Sequence, residues 1–118
     1  MRTVVETPSF LAAADQAGMN EAERRAAIDT VAGNPLTGDL IVGSGGCRKV
    51  RVAGKGKGKS GGYRVVTYYG GEAFPVFLLT VFAKGERSNL TGAETTALAR
   101  LVKTLTNSLS RSYPASRR

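Results

Sequence analysis

The apolar residues of this chain change their period at Gly38 and change it back near residue 90. Before Gly38 they recur at helical spacing: Phe10, Leu11, Ala14 and Ala17 in one stretch, Ala27, Ile28 and Val31 in the next. Thr7-Pro8 opens the first stretch as an N-cap with proline at the first helical position, and Gly18 is a natural stop. Asn20 with Glu23 opens the second as a capping box, and Gly33-Asn34-Pro35 closes it. Thr3-Val4-Val5 ahead of them is a brief strand, and Asp39 to Val42 reads as a short edge strand or extended loop. Three strands follow, Cys47 to Val52, Tyr63 to Tyr69 and Val76 to Ala83, the last so apolar that it belongs at the centre of a sheet. Thr91 with Glu94 then caps a final helix whose stripe is Leu98, Leu101, Val102, Leu105 and Leu109. This order predicts an α+β fold. The 118 residues suit a single domain over 1–109, with 110–118 as a basic tail that has little to bury.

Charge is distributed as unevenly as hydrophobicity. Residues 1–38 hold five acids and three bases, whereas residues 39–70 hold Asp39 against seven bases and net +6 of the chain's +8. A solubilising surface normally mixes both signs, so a one-signed block in a small domain points to a polyanion, most simply nucleic acid. Within Cys47–Val52, Val50 and Val52 share one face of the strand while Lys49 and Arg51 share the other. Several chemistries are excluded by what the chain lacks. There is no His, and the single Cys47 makes neither a disulfide nor a thiolate cage, so His-dependent triads and zinc sites are out. No metal or cofactor is expected. No apolar run reaches membrane-spanning length, and Met1 to Glu6 does not read as a secretory signal, so a cytoplasmic location is expected.

The segment Ala53 to Ser60 fits a relaxed phosphate-loop pattern, but that mechanism needs a helix starting at the Lys-Ser pair, and here Gly61-Gly62 and a strand follow. A basic hairpin loop lying along a phosphate backbone, with Lys55, Lys57 and Lys59 as its contacts, fits better. Arg48 and Arg87 join them as candidate RNA contacts. Tyr63 and Tyr68 are candidates for stacking on unpaired bases, although each is equally at home as a strand packing residue. The acids form no catalytic pair. Glu21, Glu23 and Glu94 belong to helix starts, so chemistry here has to rest on Lys, Arg and Tyr, an inventory that suits phosphoryl transfer.

The chain resembles the RelE/HigB-like toxins of bacterial type II toxin–antitoxin modules, closest to the HigB branch. The likeness rests on Val4 to Phe10, Asn34-Pro35, Gly38-Asp39, Gly45 to Arg51, Gly56 to Val65, Phe82 to Ser88 and the helix start at Leu90 to Glu94. It implies a RelE/ParE-like fold: a helical hairpin packed on a small twisted, mainly antiparallel sheet, with a C-terminal helix. It implies a ribosome-dependent, metal-independent mRNA endoribonuclease in which the 2′-OH attacks the adjacent phosphate to give a 2′,3′-cyclic phosphate. Matched residue by residue, the family's basic catalytic positions fall on Lys49, Arg51, Arg64 and Lys84. Arg64 then stabilises the phosphorane, Lys84 the leaving oxygen, and Lys49 and Arg51 the substrate backbone and proton transfer. The tyrosine some relatives carry near the last helix is Thr91 here, and a further arginine is Gly85, so Lys49 or Tyr68 is left as the base. The implied partners are the ribosome, mRNA and a cognate antitoxin, a helix-turn-helix protein of the HigA kind, and no membrane. The rival reading is a non-catalytic nucleic-acid binder or a gyrase-targeting, ParE-like toxin on the same fold.

Overall fold

The computed structural model describes residues 2–54, 62–85 and 89–112, with side chains through Leu109 in the last segment. Lys55, Lys57, Lys59 and Arg87, and residues 113–118, lie outside the described residues. The order of elements is β1 (Val4–Glu6), α1 (Pro8–Gln16), α2 (Glu21–Gly33), β2 (Asp39–Leu40), β3 (Cys47–Val52), β4 (Tyr63–Tyr69), β5 (Val76–Ala83) and α3 (Gly92–Ser112). The fold is α+β, as the periods require.

The helix starts follow from their caps. Thr7 accepts from the Phe10 amide at 3.2 Å with Pro8 behind it, so one orphan amide is satisfied and another is absent. Asn20 and Glu23 exchange bonds of 2.8 and 2.9 Å in a complete capping box, and Thr91 and Glu94 do the same at the start of α3. The α3 backbone runs on to Ser112, three residues into the segment expected as a tail.

The five described strands order as β1-β5-β4-β3-β2. β1 is parallel to β5 and the other pairings are antiparallel. β5 therefore lies inside the sheet, but β4 is its middle strand, because the short β1 takes the place beyond β5. An irregularity between Val66 and Thr67 skips Leu79 in the β4–β5 register. Thr7 and Ser9, at the head of α1, donate to the carbonyls of Leu78 and Leu79, each at 2.7 Å, and so pin the hairpin to β5.

Both faces of the sheet are covered, though unequally. On one, Phe10, Ala14, Met19, Ala27 and Val31 of α1, α2 and their turn pack on Val50, Val52, Tyr63, Val65, Val76 and Leu78. On the other, Leu98, Val102 and Leu109 of α3 pack on Cys47, Val66, Phe77 and Leu79. α3 thus covers one end of its face. The opposite end carries the alternate residues of β3 and β4 that are not apolar. No described helix is long and apolar enough to cross a membrane.

Candidate functional site

β3 alternates across the sheet, so Lys49 and Arg51 share the α3 face with Cys47, while Val50 and Val52 enter the opposite core. The register then assembles the site. Arg51 stands opposite Arg64 of β4, Lys49 opposite Val66, and on the other side Asp39 of β2 stands opposite Lys49. The result is a cleft of about 300 Å³ lined by Thr37, Gly38, Asp39, Lys49, Val50, Arg51 and Arg64. Gly38 makes the approach of β2 possible. Its φ is +93°, and a Cβ there would lie 2.6 Å from the Lys49 carbonyl oxygen. Gly62 is as constrained at the start of β4, with φ +87° and the Val52 carbonyl oxygen 2.6 Å from where a Cβ would be.

Arg64 is the buried member, 8% exposed, and Nη1 donates to its neighbour's carbonyl, Tyr63 O, at 3.3 Å. Burial, and then the charge of Arg51, hold its pKa below the ordinary arginine value. Among the described residues no carboxylate lies within ion-pair distance of Arg51 or Arg64. Lys49 is tethered instead: its Nζ donates to Asn89 Oδ1 at 2.8 Å, across from the turn that leads into α3. A positioned guanidinium in a partly desolvated wall, with two more cations beside it, is an anion site. It matches the charge that builds on a phosphorus centre during transfer.

The other sequence candidates divide. Lys84 follows β5, its amide bonded to Gly62 O at 3.0 Å, beside the start of β4 rather than lining the cleft. Arg48 does not join the cleft. It is in phase with Val50, on the far face, and its Nη1 donates to Gly38 O at 2.9 Å, which helps to hold the loop before β2. Tyr63 is corrected outright. It is fully buried against the helical hairpin, its hydroxyl donating to Glu23 Oε1 at 3.2 Å, so it cannot stack on a base. Tyr68 is half-buried opposite Cys47, four residues along β4 from Arg64, or roughly 13 Å by strand rise. Burial, and then Cys47, raise its hydroxyl pKa, which does not suit a base. Thr91 is the cap of α3. Asn89 was missed in the sequence, where a turn asparagine carries no sign of a contact forty residues away.

A family model described as the RelE toxin of the RelE/RelB toxin–antitoxin system matches residues 1–113. The chain belongs to the RelE toxin family. A RelE toxin is one half of a toxin–antitoxin pair, so an antitoxin is its partner. For this RelE-family chain the sheet order, the hairpin and the C-terminal helix are in place. The cationic cleft lies at the end of the sheet that α3 leaves open.

Proposed function

We propose that this toxin, of the HigB branch, cuts mRNA on the ribosome without a metal ion and so stops translation in the cytoplasm. The observation that carries the reading is the meeting of Lys49, Arg51 and a buried Arg64 in one cleft with no described carboxylate paired to either arginine. A surface that only had to adhere to nucleic acid needs spread charge, not a desolvated guanidinium.

In this reading Arg64 and Arg51 hold the non-bridging oxygens of the scissile phosphate and take up the charge of the phosphorane. Lys49, fixed by Asn89, orients the ribose side. Lys84 protonates the departing 5′-oxygen. Lys55, Lys57, Lys59 and Arg87 carry the flanking RNA backbone. The single folded domain runs through the end of α3 at Ser112, and the antitoxin is a helix-turn-helix protein of the HigA kind. The test is addition of the purified protein to programmed ribosomes, with cut sites mapped and the new 3′ ends analysed. A 2′,3′-cyclic phosphate at cuts that require the ribosome supports the reading. Intact mRNA together with blocked DNA supercoiling would favour the gyrase-targeting alternative.

A further inference from the structure

The cation cleft shares two side chains with a second, larger hollow. The first is lined by Arg51 and Arg64 together with Asp39 and Lys49. The second, of about 440 Å³, is lined by Ile41, Val42, Asn89, Leu90 and Thr95 together with the same Asp39 and Lys49. A nucleotide offers three parts in sequence: phosphate, ribose and base. With the phosphate on the arginines and the base in the more apolar hollow, the ribose between them crosses the boundary that Asp39 and Lys49 form. The 2′-OH is therefore presented to one of these two.

They are not equally available. The Lys49 ammonium is a donor with no lone pair to offer, and it is already directed at Asn89 Oδ1. The Asp39 carboxylate is exposed and has no hydrogen bond or ion pair among the described residues. It is the one carboxylate among the described residues that line the cleft. It stands on β2, two strands from Arg64 or about 10 Å across the sheet, so it leaves the guanidinium to the phosphate. The charged groups around it are Lys49 and Arg51 of β3 and Arg64 of β4. Arg48 is bonded to the Gly38 carbonyl just before it. Among the described residues, the α3 side presents the uncharged Asn89, Leu90 and Thr95.

We propose that Asp39 is the general base of the cleavage, an assignment that rests on the nuclease reading above. A carboxylate oxygen takes the 2′-OH proton while the O2′–P bond forms. The P–O5′ bond breaks, and the 5′-oxygen takes a proton from Lys84. The products are a 2′,3′-cyclic phosphate and a 5′-hydroxyl, and both side chains regain their starting states by exchange with water.

The experiment is single-turnover cutting of mRNA on programmed ribosomes at neutral pH, for wild type, Asp39→Asn and Asp39→Glu. Ribosome association is measured in parallel by co-sedimentation. Asp39→Asn is expected to bind as wild type does and to cut about 10²- to 10⁴-fold more slowly. Asp39→Glu restores a carboxylate and is expected to cut faster than Asp39→Asn. An Asp39→Asn protein that cuts as fast as wild type, or an Asp39→Glu protein that cuts no faster than Asp39→Asn, overturns the assignment. A wild type that binds ribosomes and cuts nothing brings down the nuclease reading itself, and the role of Asp39 with it.

Discussion

Arg51 lies directly opposite Arg64 in the antiparallel register of β3 and β4, like charge against like charge on one face of the sheet. Such a pair works against folding. Here it is aggravated by the burial of Arg64 and relieved by no described carboxylate. The arrangement is favourable only with an anion between the two guanidinium groups, so the folded protein holds charge in readiness for an anion. Stability and activity should then separate at this site.

Arg64→Leu is expected to raise stability by about 1 kcal/mol, because a buried and repelled charge is replaced by apolar volume. For a chain of this size that is a rise of about 3–5 °C in Tm. The same protein should lose growth inhibition, with cutting down by about 10²-fold or more. Thermal melts and the ribosome assay check both halves. A variant that melts lower and still cuts would show that Arg64 is structural.

Asn89→Ala releases the Lys49 ammonium from its 2.8 Å contact. The pair is exposed, so little stability is at stake, within about 0.5 kcal/mol. Activity depends on where the ammonium points, and a displaced lysine is expected to lower cutting by about tenfold. Cutting by Asn89→Ala at the wild-type rate would make the contact incidental.

Much of this was legible in the sequence because it is local. The three caps, and the alternation that separates Lys49 and Arg51 from Val50 and Val52, can be read from a few neighbouring residues. The same alternation puts Arg48 in phase with Val50 and Tyr63 in phase with Val65, so their removal from the cleft was already written there, beneath their polar side chains. What stayed hidden is non-local. Asp39 reaches Lys49 only through the β2–β3 register that Gly38 permits, and Asn89 reaches it only because α3 folds back over the sheet. β4 is the middle strand because β1 joins the far side of β5 in parallel, a pairing across some seventy residues.

The buried Tyr63 hydroxyl gives the fold a pH limit of its own. Burial first, and then the charge and hydrogen bond of Glu23, raise its pKa above the ordinary value of 10.0. A group whose folded pKa is raised stabilises the fold fully below its unfolded pKa and loses that contribution as pH climbs through the folded one. Stability should therefore fall above about pH 10, the usual tyrosine value. Tyr63→Phe should melt lower at neutral pH, by about 1 kcal/mol for the lost hydrogen bond, and show a shallower alkaline decline. Parallel alkaline curves for the two proteins would mean that another group sets the limit.

The antitoxin must find this molecule quickly, and the cationic cleft is its most distinctive surface. Phe10, Ala14, Ala27 and Val31 of the helix stripes in residues 1–38 are turned into the core while Leu11 is exposed, and that segment is net acidic, so it offers little attraction to an acidic partner. An acidic segment laid over Lys49, Arg51 and Arg64 would gain Coulomb attraction, steer the encounter and shut the cleft at once. Association of toxin and antitoxin should accordingly slow by about tenfold or more between low and high salt, and Lys49→Ala with Arg51→Ala should remove most of that dependence. Stopped-flow rates for both proteins at several salt concentrations decide the point. An association rate that responds neither to salt nor to the double substitution would mean that the antitoxin binds away from the cleft and inhibits by blocking access to the ribosome.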